Sequence, residues 1–357
     1  MTKVLSFDKA IADSERYTKR HLILGNGFSI ACQPHVFSYN SLFDKAKISN
    51  NPRLSKIFQA LETQDFEVAI KHLESGARIV PTYNSSPSTI SRDMAADAQK
   101  LKEILLSTIA KNHPDTPLNL STKQISACRH FLSHFIGEDV AGQIFTLNYD
   151  LLLYWVLMHR DSEFVAHIPL ALNDGFGNDE DDPEAEYVVW QGETGAHSAR
   201  IHFLHGALHL FDAGNDLKKF TWVRTNERLT DQARTAIGEG MFPLFVAEGS
   251  SAQKKNKIRH NAYLYQGFKQ LTANAAQRNH CFFVHGHSLA RNDDHILKRL
   301  GRGKCKHLYI SIFGDPMSKD NKSIINRAKD LAAVRSAYYP LELTFYDAES
   351  ASVWGAD

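Results

Sequence analysis

Four times along this chain a short apolar run ends in a glycine, asparagine or histidine turn. Residues 21–24 lead into Gly25-Asn26-Gly27-Phe28-Ser29, and residues 143–147 into Asn148-Tyr149-Asp150. Residues 201–204 lead into His205-Gly206, and residues 280–285 into Gly286-His287-Ser288-Leu289. The runs are apolar almost throughout rather than alternating, which suits strands covered on both faces. Helical periodicity fills the intervals. That alternation predicts an α/β fold with a mostly parallel, doubly wound sheet, whose strand ends present loops to a ligand. Three further runs, 243–247, 307–313 and 342–346, complete a set of seven expected strands within a single domain, residues 1–357.

The spacing is uneven. Well over a hundred residues separate the first two strands, so residues 34–138 read as a helical insertion. Phe66, Ile70, Leu73 and Ala77 share one helical face; Met94, Ala98, Leu101, Leu105 and Ile109 share another, with Ser91 as the expected cap. A polar, proline-containing loop is expected at 81–89. Ser121 and Gln124 have capping-box spacing ahead of Ile125, Cys128, Leu132 and Phe135. Gly301 is the expected C-cap after Ile296, Leu297 and Leu300, and Ile324, Ala328 and Leu331 mark a last helix. Residues 173–198 read as an irregular acidic loop around the run 178–184.

With 41 Lys and Arg against 40 Asp and Glu, the net charge of +1 gives no global attraction to polyanions. Direct nucleic-acid binding is therefore not expected, and Lys254, Lys255, Lys257, Arg259 and His260 read as a solvated basic face. The longest apolar run, 151–158, is too short to span a bilayer, so no membrane association is expected. No secretory signal is read in residues 1–12. The four cysteines form no C-x-x-C pair, which argues against a zinc ribbon and for a cytoplasmic protein with reduced thiols.

Glycines at 25 and 27, just after a strand, permit close approach of a phosphate to the backbone of a helix start. Ile30 stands where the full dinucleotide fingerprint has its third glycine. Asn148 and Asp150 suit ribose hydroxyls, a carboxamide or an attacking water, and equally suit helix capping. His205, beside Gly206 at a strand end, is the candidate general base, because imidazole titrates near neutrality. Ser288 suits phosphate or ribose oxygens, and Asp293 suits a ribose or the start of the next helix. His202, His205 and His209, or His285 with His287, invite a metal-dependent hydrolase reading. The first set straddles a strand-to-turn transition and no acidic ligand accompanies it at a familiar spacing, so no metal is expected.

In this order the four motifs resemble those of the sirtuin-like NAD-binding family, in particular its divergent bacterial branch of antiphage-defence NAD hydrolases. The resemblance spans residues 21 to about 300. It implies a Rossmann-like sheet, NAD as substrate, and a dinucleotide site comprising Gly25, Asn26, Gly27, Phe28, Ser29, Gly206, Gly286, His287, Ser288 and Asp293. It places Asn148 and Asp150 at the nicotinamide ribose and makes His205 the catalytic base. Protein deacylases of that family carry two Cys-x-x-Cys pairs, absent here, so the implied reaction is NAD hydrolysis to nicotinamide and ADP-ribose. Nicotinamide leaves as a neutral base, so the protein need only position the dinucleotide, stabilise positive charge and deliver water. A homo-oligomer, or an ATPase or Argonaute-like defence partner, is implied on the same ground. The alternative from the residues is a module that senses NAD or ADP-ribose without chemistry.

Overall fold

Valine, leucine, isoleucine and phenylalanine fill the strand-like runs, and the structure buries most of those side chains between two helical layers. The computed structural model describes residues 3–37, 43–83, 89–159, 168–192, 199–212, 216–221, 227–238, 243–246 and 250–355. The strands are β1 Val4–Leu5, β2 Lys19–Leu24, β3 Ile144–Thr146, β4 Phe176–Gly177, β5 Tyr187–Trp190 and β6 Ile201–Phe203. They continue with β7 Gly206–Asp212, β8 Leu217–Phe220, β9 Pro243–Phe245, β10 His280–His285, β11 His307–Ile312 and β12 Glu342–Asp347.

Seven of them form an all-parallel sheet in the order β1-β12-β11-β10-β2-β3-β6. Leaving aside the edge strand β1 and ranking the other six by position in the chain, the order from β6 is 3-2-1-4-5-6. That is the order of dinucleotide-binding α/β folds, with the reversal between β2 and β10. The expected Rossmann-like, doubly wound α/β class is therefore present. The expected strand at 243–247 is not in this sheet: β9 pairs antiparallel with β7 in a second, five-stranded sheet ordered β4-β5-β8-β7-β9. Ala247 lies outside the described residues.

The chain crosses from one sheet to the other at Gly206, whose φ is +81°. A Cβ there would collide with the carbonyl oxygen of Leu244, so only glycine fits. The expected irregular loop 173–198 also contributes strands, β4 and β5, although its acidic run 178–184 is the mostly exposed connection between them; residues 193–198 lie outside the description. β1 is only two residues long, too short to give a periodic signal.

The insertion is helical, chiefly Pro52–Ala60, Phe66–Tyr83, Thr89–Asn112 and Thr122–Ile136, and the expected apolar faces pack into the core. Ser121 and Gln124 form the capping box. Ser91 is not a cap. It lies within the helix Thr89–Asn112, and its hydroxyl donates to the carbonyl of Ala77 on the helix Phe66–Tyr83 at 2.5 Å. Pro81, which lacks an N–H, leaves the carbonyl four residues earlier without its helical donor, and Ser91 supplies one. The helix therefore runs through Pro81 to Tyr83 instead of ending there; residues 84–88 lie outside the description. Gly301 is not a C-cap either. The helix Asp294–Arg302 continues past it, and a Cβ at 301 would stand 3.1 Å from the carbonyl oxygen of Leu331 on the neighbouring helix. Among the described residues, no helix is long and apolar enough to cross a membrane.

Candidate functional site

Parallel register sets the four motifs level. Leu24 pairs with His285 on one side and Thr146 on the other, and Thr146 pairs with Phe203. The residues that follow therefore leave the carboxyl edge of four adjacent strands together, where such sheets bind ligands.

At the reversal point the two glycine turns pack on each other. Gly25 N–H donates to the carbonyl of His285 at 3.0 Å, and Gly27 N–H to that of Gly286 at 2.7 Å. A Cβ at Gly27 would lie 2.6 Å from the Gly286 Cα. Gly286, at φ +67°, has room for no Cβ beside the Phe28 amide nitrogen, 2.5 Å from where that atom would be. The amides of Phe28, Ser29 and Ile30 donate to carbonyls of Gly25 and Asn26. Asn26 donates its side-chain amide to Phe37, and Phe28 is buried against Trp354. Ser288 is exposed on the second turn.

Asn148, Asp150 and Ser29 form a buried network beside the first turn. The Asn148 amide donates to the Gly25 carbonyl at 3.1 Å and to Ser29 Oγ at 2.9 Å. Ser29 donates in turn to Asp150 Oδ2 at 2.5 Å, while Asp150 Oδ1 accepts the Leu152 N–H and starts the helix Leu152–Met158. Burial pushes the Asp150 carboxyl upward, against the pull of these two hydrogen bonds. The carboxyl group thus ties the first N–H of the helix to the glycine turn, from a position before the N-cap Leu151.

A second network surrounds His205. The Tyr149 ring lies 6.3 Å from the His205 ring at 25°, bringing the segment 148–150 alongside. Tyr149 OH donates to the carbonyl of Val246, whose N–H donates to the carbonyl of His205. His205 Nε2 faces His295 Nε2 at 3.1 Å, one ring donating and the other accepting. Asp293 Oδ1 stands 3.9 Å from His205 Nε2 and accepts from Lys254 Nζ at 3.0 Å.

His287 completes the network, and its tautomer follows from its partners. The Leu289 N–H donates to His287 Nδ1 at 2.8 Å, so Nε2 carries the proton that Asp293 Oδ2 accepts at 3.1 Å. Leu289 is held at φ +55°, the left-handed region that side chains avoid, to deliver that amide. Burial, reinforced by the Lys254 ammonium, drops the His205 imidazole well below its ordinary range, and burial brings His295 to about 4. Both are neutral at pH 7. Burial by itself raises the Asp293 carboxyl, but Lys254 and His287 outweigh it and hold the group anionic.

The expected residues thus divide between two adjoining networks. Both Asp293 oxygens are already engaged, and its side chain makes no cap hydrogen bond to the helix that follows. Lys254 is not part of a solvated face: it is 1 % exposed. Lys254 and Ile258 are both buried, four residues apart on the helix Ser251–His260, and that spacing was the available signal. His295, two residues beyond Asp293, had no signal of its own.

The two histidine sets considered for a metal do not assemble. His202 stacks on Phe145 at 5.0 Å, and His209 packs against Tyr154 at 4.5 Å. His285 turns to Tyr346 OH, whereas His287 turns to Asp293. Among the described residues, the ligand-type atoms that do converge are those of His205, Asp293 and His295, all within 4.8 Å of one another. Two surface cavities, of about 450 and 440 Å³, share no residue with this cluster.

No curated protein sequence matches the chain. A family model does, over residues 22–354, from inside β2 to beyond β12 and so across both networks: the chain belongs to the DUF4917 family, described as a domain of unknown function.

Proposed function

We propose that this protein hydrolyses NAD, breaking the bond between nicotinamide and C1′ of its ribose. One observation carries the reading: a neutral, buried imidazole with a carboxylate 3.9 Å away stands at the carboxyl edge of a sheet with dinucleotide-fold strand order. In the reaction the C1′–N bond breaks and nicotinamide leaves with the electron pair. Water adds its oxygen to C1′ and yields its proton to His205. Asp293 favours the imidazolium so formed, and release of that proton to solvent restores the base. Asn148 and Asp150, tied to Ser29, shape the ribose side of the same edge, and the exposed Ser288 lies on the turn nearest solvent.

His205 is 2 % exposed, so substrate reaches it only when neighbouring turns move. This supports a hydrolase kept silent until a defence signal or partner opens it. The proposed setting is the bacterial cytoplasm, with antiphage defence as the role and a homo-oligomer, an ATPase or an Argonaute-like subunit as the assembly. Chromatography of NAD incubated with the chain, alone and with such partners, tests the activity. Nicotinamide and ADP-ribose are expected, and His205→Ala and Asn148→Ala should each abolish them. Undiminished turnover in both variants rejects the site.

A second reading, a sensor that binds NAD or ADP-ribose without turnover, is favoured by the burial and the Lys254 ammonium that drop the His205 imidazole well below its ordinary range and so weaken it as a base. Saturable ADP-ribose binding with no nicotinamide release under any condition supports it.

A further inference from the structure

We infer that His205, Asp293 and His295 form a binding site for one divalent cation of borderline softness, such as Zn²⁺. His205 arrives from the turn after β6, and Asp293 and His295 from the start of the helix Asp294–Arg302. Zinc holds imidazole nitrogens and carboxylate oxygens at about 2.0–2.2 Å, which sets donors on a tetrahedral ion about 3.3 Å apart. The two Nε2 atoms are 3.1 Å apart, and His205 Nε2 is 3.9 Å from Asp293 Oδ1. The nitrogen pair already stands near that spacing, and all three ligand atoms lie within 4.8 Å of one another, so small side-chain rotations seat an ion among them. Two imidazoles and one carboxylate suit zinc better than magnesium or calcium, which take oxygen ligands. The fourth position stays open for water.

Both histidines are nearly inaccessible, while the Asp293 side chain keeps 13 % exposure and marks the way in. Without the ion, Lys254 balances the Asp293 charge. Ion and ammonium therefore compete for one carboxylate, and an ion on Nε2 blocks His205 as a base. The cation is thus an inhibitor, a consequence that alone rests on the hydrolase reading.

The test is metal binding by the purified full chain, measured by equilibrium dialysis with Zn²⁺ and by the visible spectrum with Co²⁺. About one ion per chain is expected, with a Co²⁺ spectrum of nitrogen-bearing, low-coordinate geometry. His295→Ala should weaken binding by more than ~10-fold, the scale on which even outer-shell losses act. His209→Ala should leave it unchanged, and Lys254→Met should tighten it. Absence of stoichiometric binding, a Co²⁺ spectrum of the hydrated ion, equal affinity in His295→Ala, or weaker binding in Lys254→Met overturns the site. Zinc inhibition of nicotinamide release is read separately. If no release occurs at all, the hydrolase reading fails while the binding result stands.

Discussion

Oδ1 of Asp293 lies 3.9 Å from Nε2 of His205, too far for a hydrogen bond and near enough for strong charge–charge attraction. A neutral ring gains little from that neighbour. An imidazolium gains about 4 kcal/mol from it at an effective dielectric of 20, and the Lys254 ammonium opposes that gain with the larger effect. Asp293 favours the base only after it has taken a proton, while burial and Lys254 hold the free ring neutral.

Asp293→Asn removes that attraction and should lower nicotinamide release by about 10–100-fold, less than the roughly 10²–10⁴-fold of a complete general base because His205 itself remains. The Lys254→Met/Asp293→Asn double variant, which also removes the opposing ammonium, should recover release and so separates the electrostatic loss from misfolding. Release rates and thermal melts of both variants check this. Full activity in a folded Asp293→Asn variant contradicts the role.

Gly286→Ala should be among the most damaging single-atom changes in the chain. The left-handed conformation costs roughly 1–2 kcal/mol with a side chain, and the added Cβ meets backbone on the opposite turn. Soluble yield and melting temperature should fall sharply, whereas Ser288→Ala, on an exposed position of the same turn, should leave both within error.

Acid should destabilise the fold early. His113, His202, His285 and His295 are buried and held neutral down to about 4, with burial the leading cause for each. The unfolded chain takes up protons below about pH 6.5 and the folded one does not, so stability is complete above that value and falls toward pH 4. Each imidazole contributes a loss of about 1 kcal/mol by pH 5.5. Melting temperatures measured from pH 8 to 5 should begin to drop below 6.5; a flat profile to pH 5 contradicts the assignment.

Arg129 is buried at the far end of the helix that follows Asn148 and Asp150. Its guanidinium donates to the carbonyls of Val156 and Ile168 at 3.1 and 2.9 Å, and to that of His159 at 3.3 Å, closing the end of the helix Leu152–Met158. Lysine cannot span those acceptors with a planar fork. Arg129→Lys should cost about 2–3 kcal/mol, the scale of a hydrogen bond to a charged donor plus unsatisfied carbonyls. Urea melts measure it.

Much of the sheet was legible because a strand covered on both faces writes its burial into consecutive residues. The runs at 280–285 and 307–313 show this. The run expected at 243–247 looked identical, yet its residues 243–245 joined the other sheet, since an apolar stretch does not record which neighbour it pairs with. His205 and Gly206 were legible as a strand end. Lys254 was not, because a lysine reads as solvated until a carboxylate from elsewhere is placed against it.

Local chemistry alone determined the strand ends, the helical faces of the insertion and the Ser121–Gln124 cap, since each depends on residues a few positions apart. Only the folded molecule decided that Gly27 would touch Gly286 and that Lys254, Asp293 and His295 would surround His205. Those meetings depend on strand order and register, which align distant segments and aim their side chains, and no short stretch of sequence contains them.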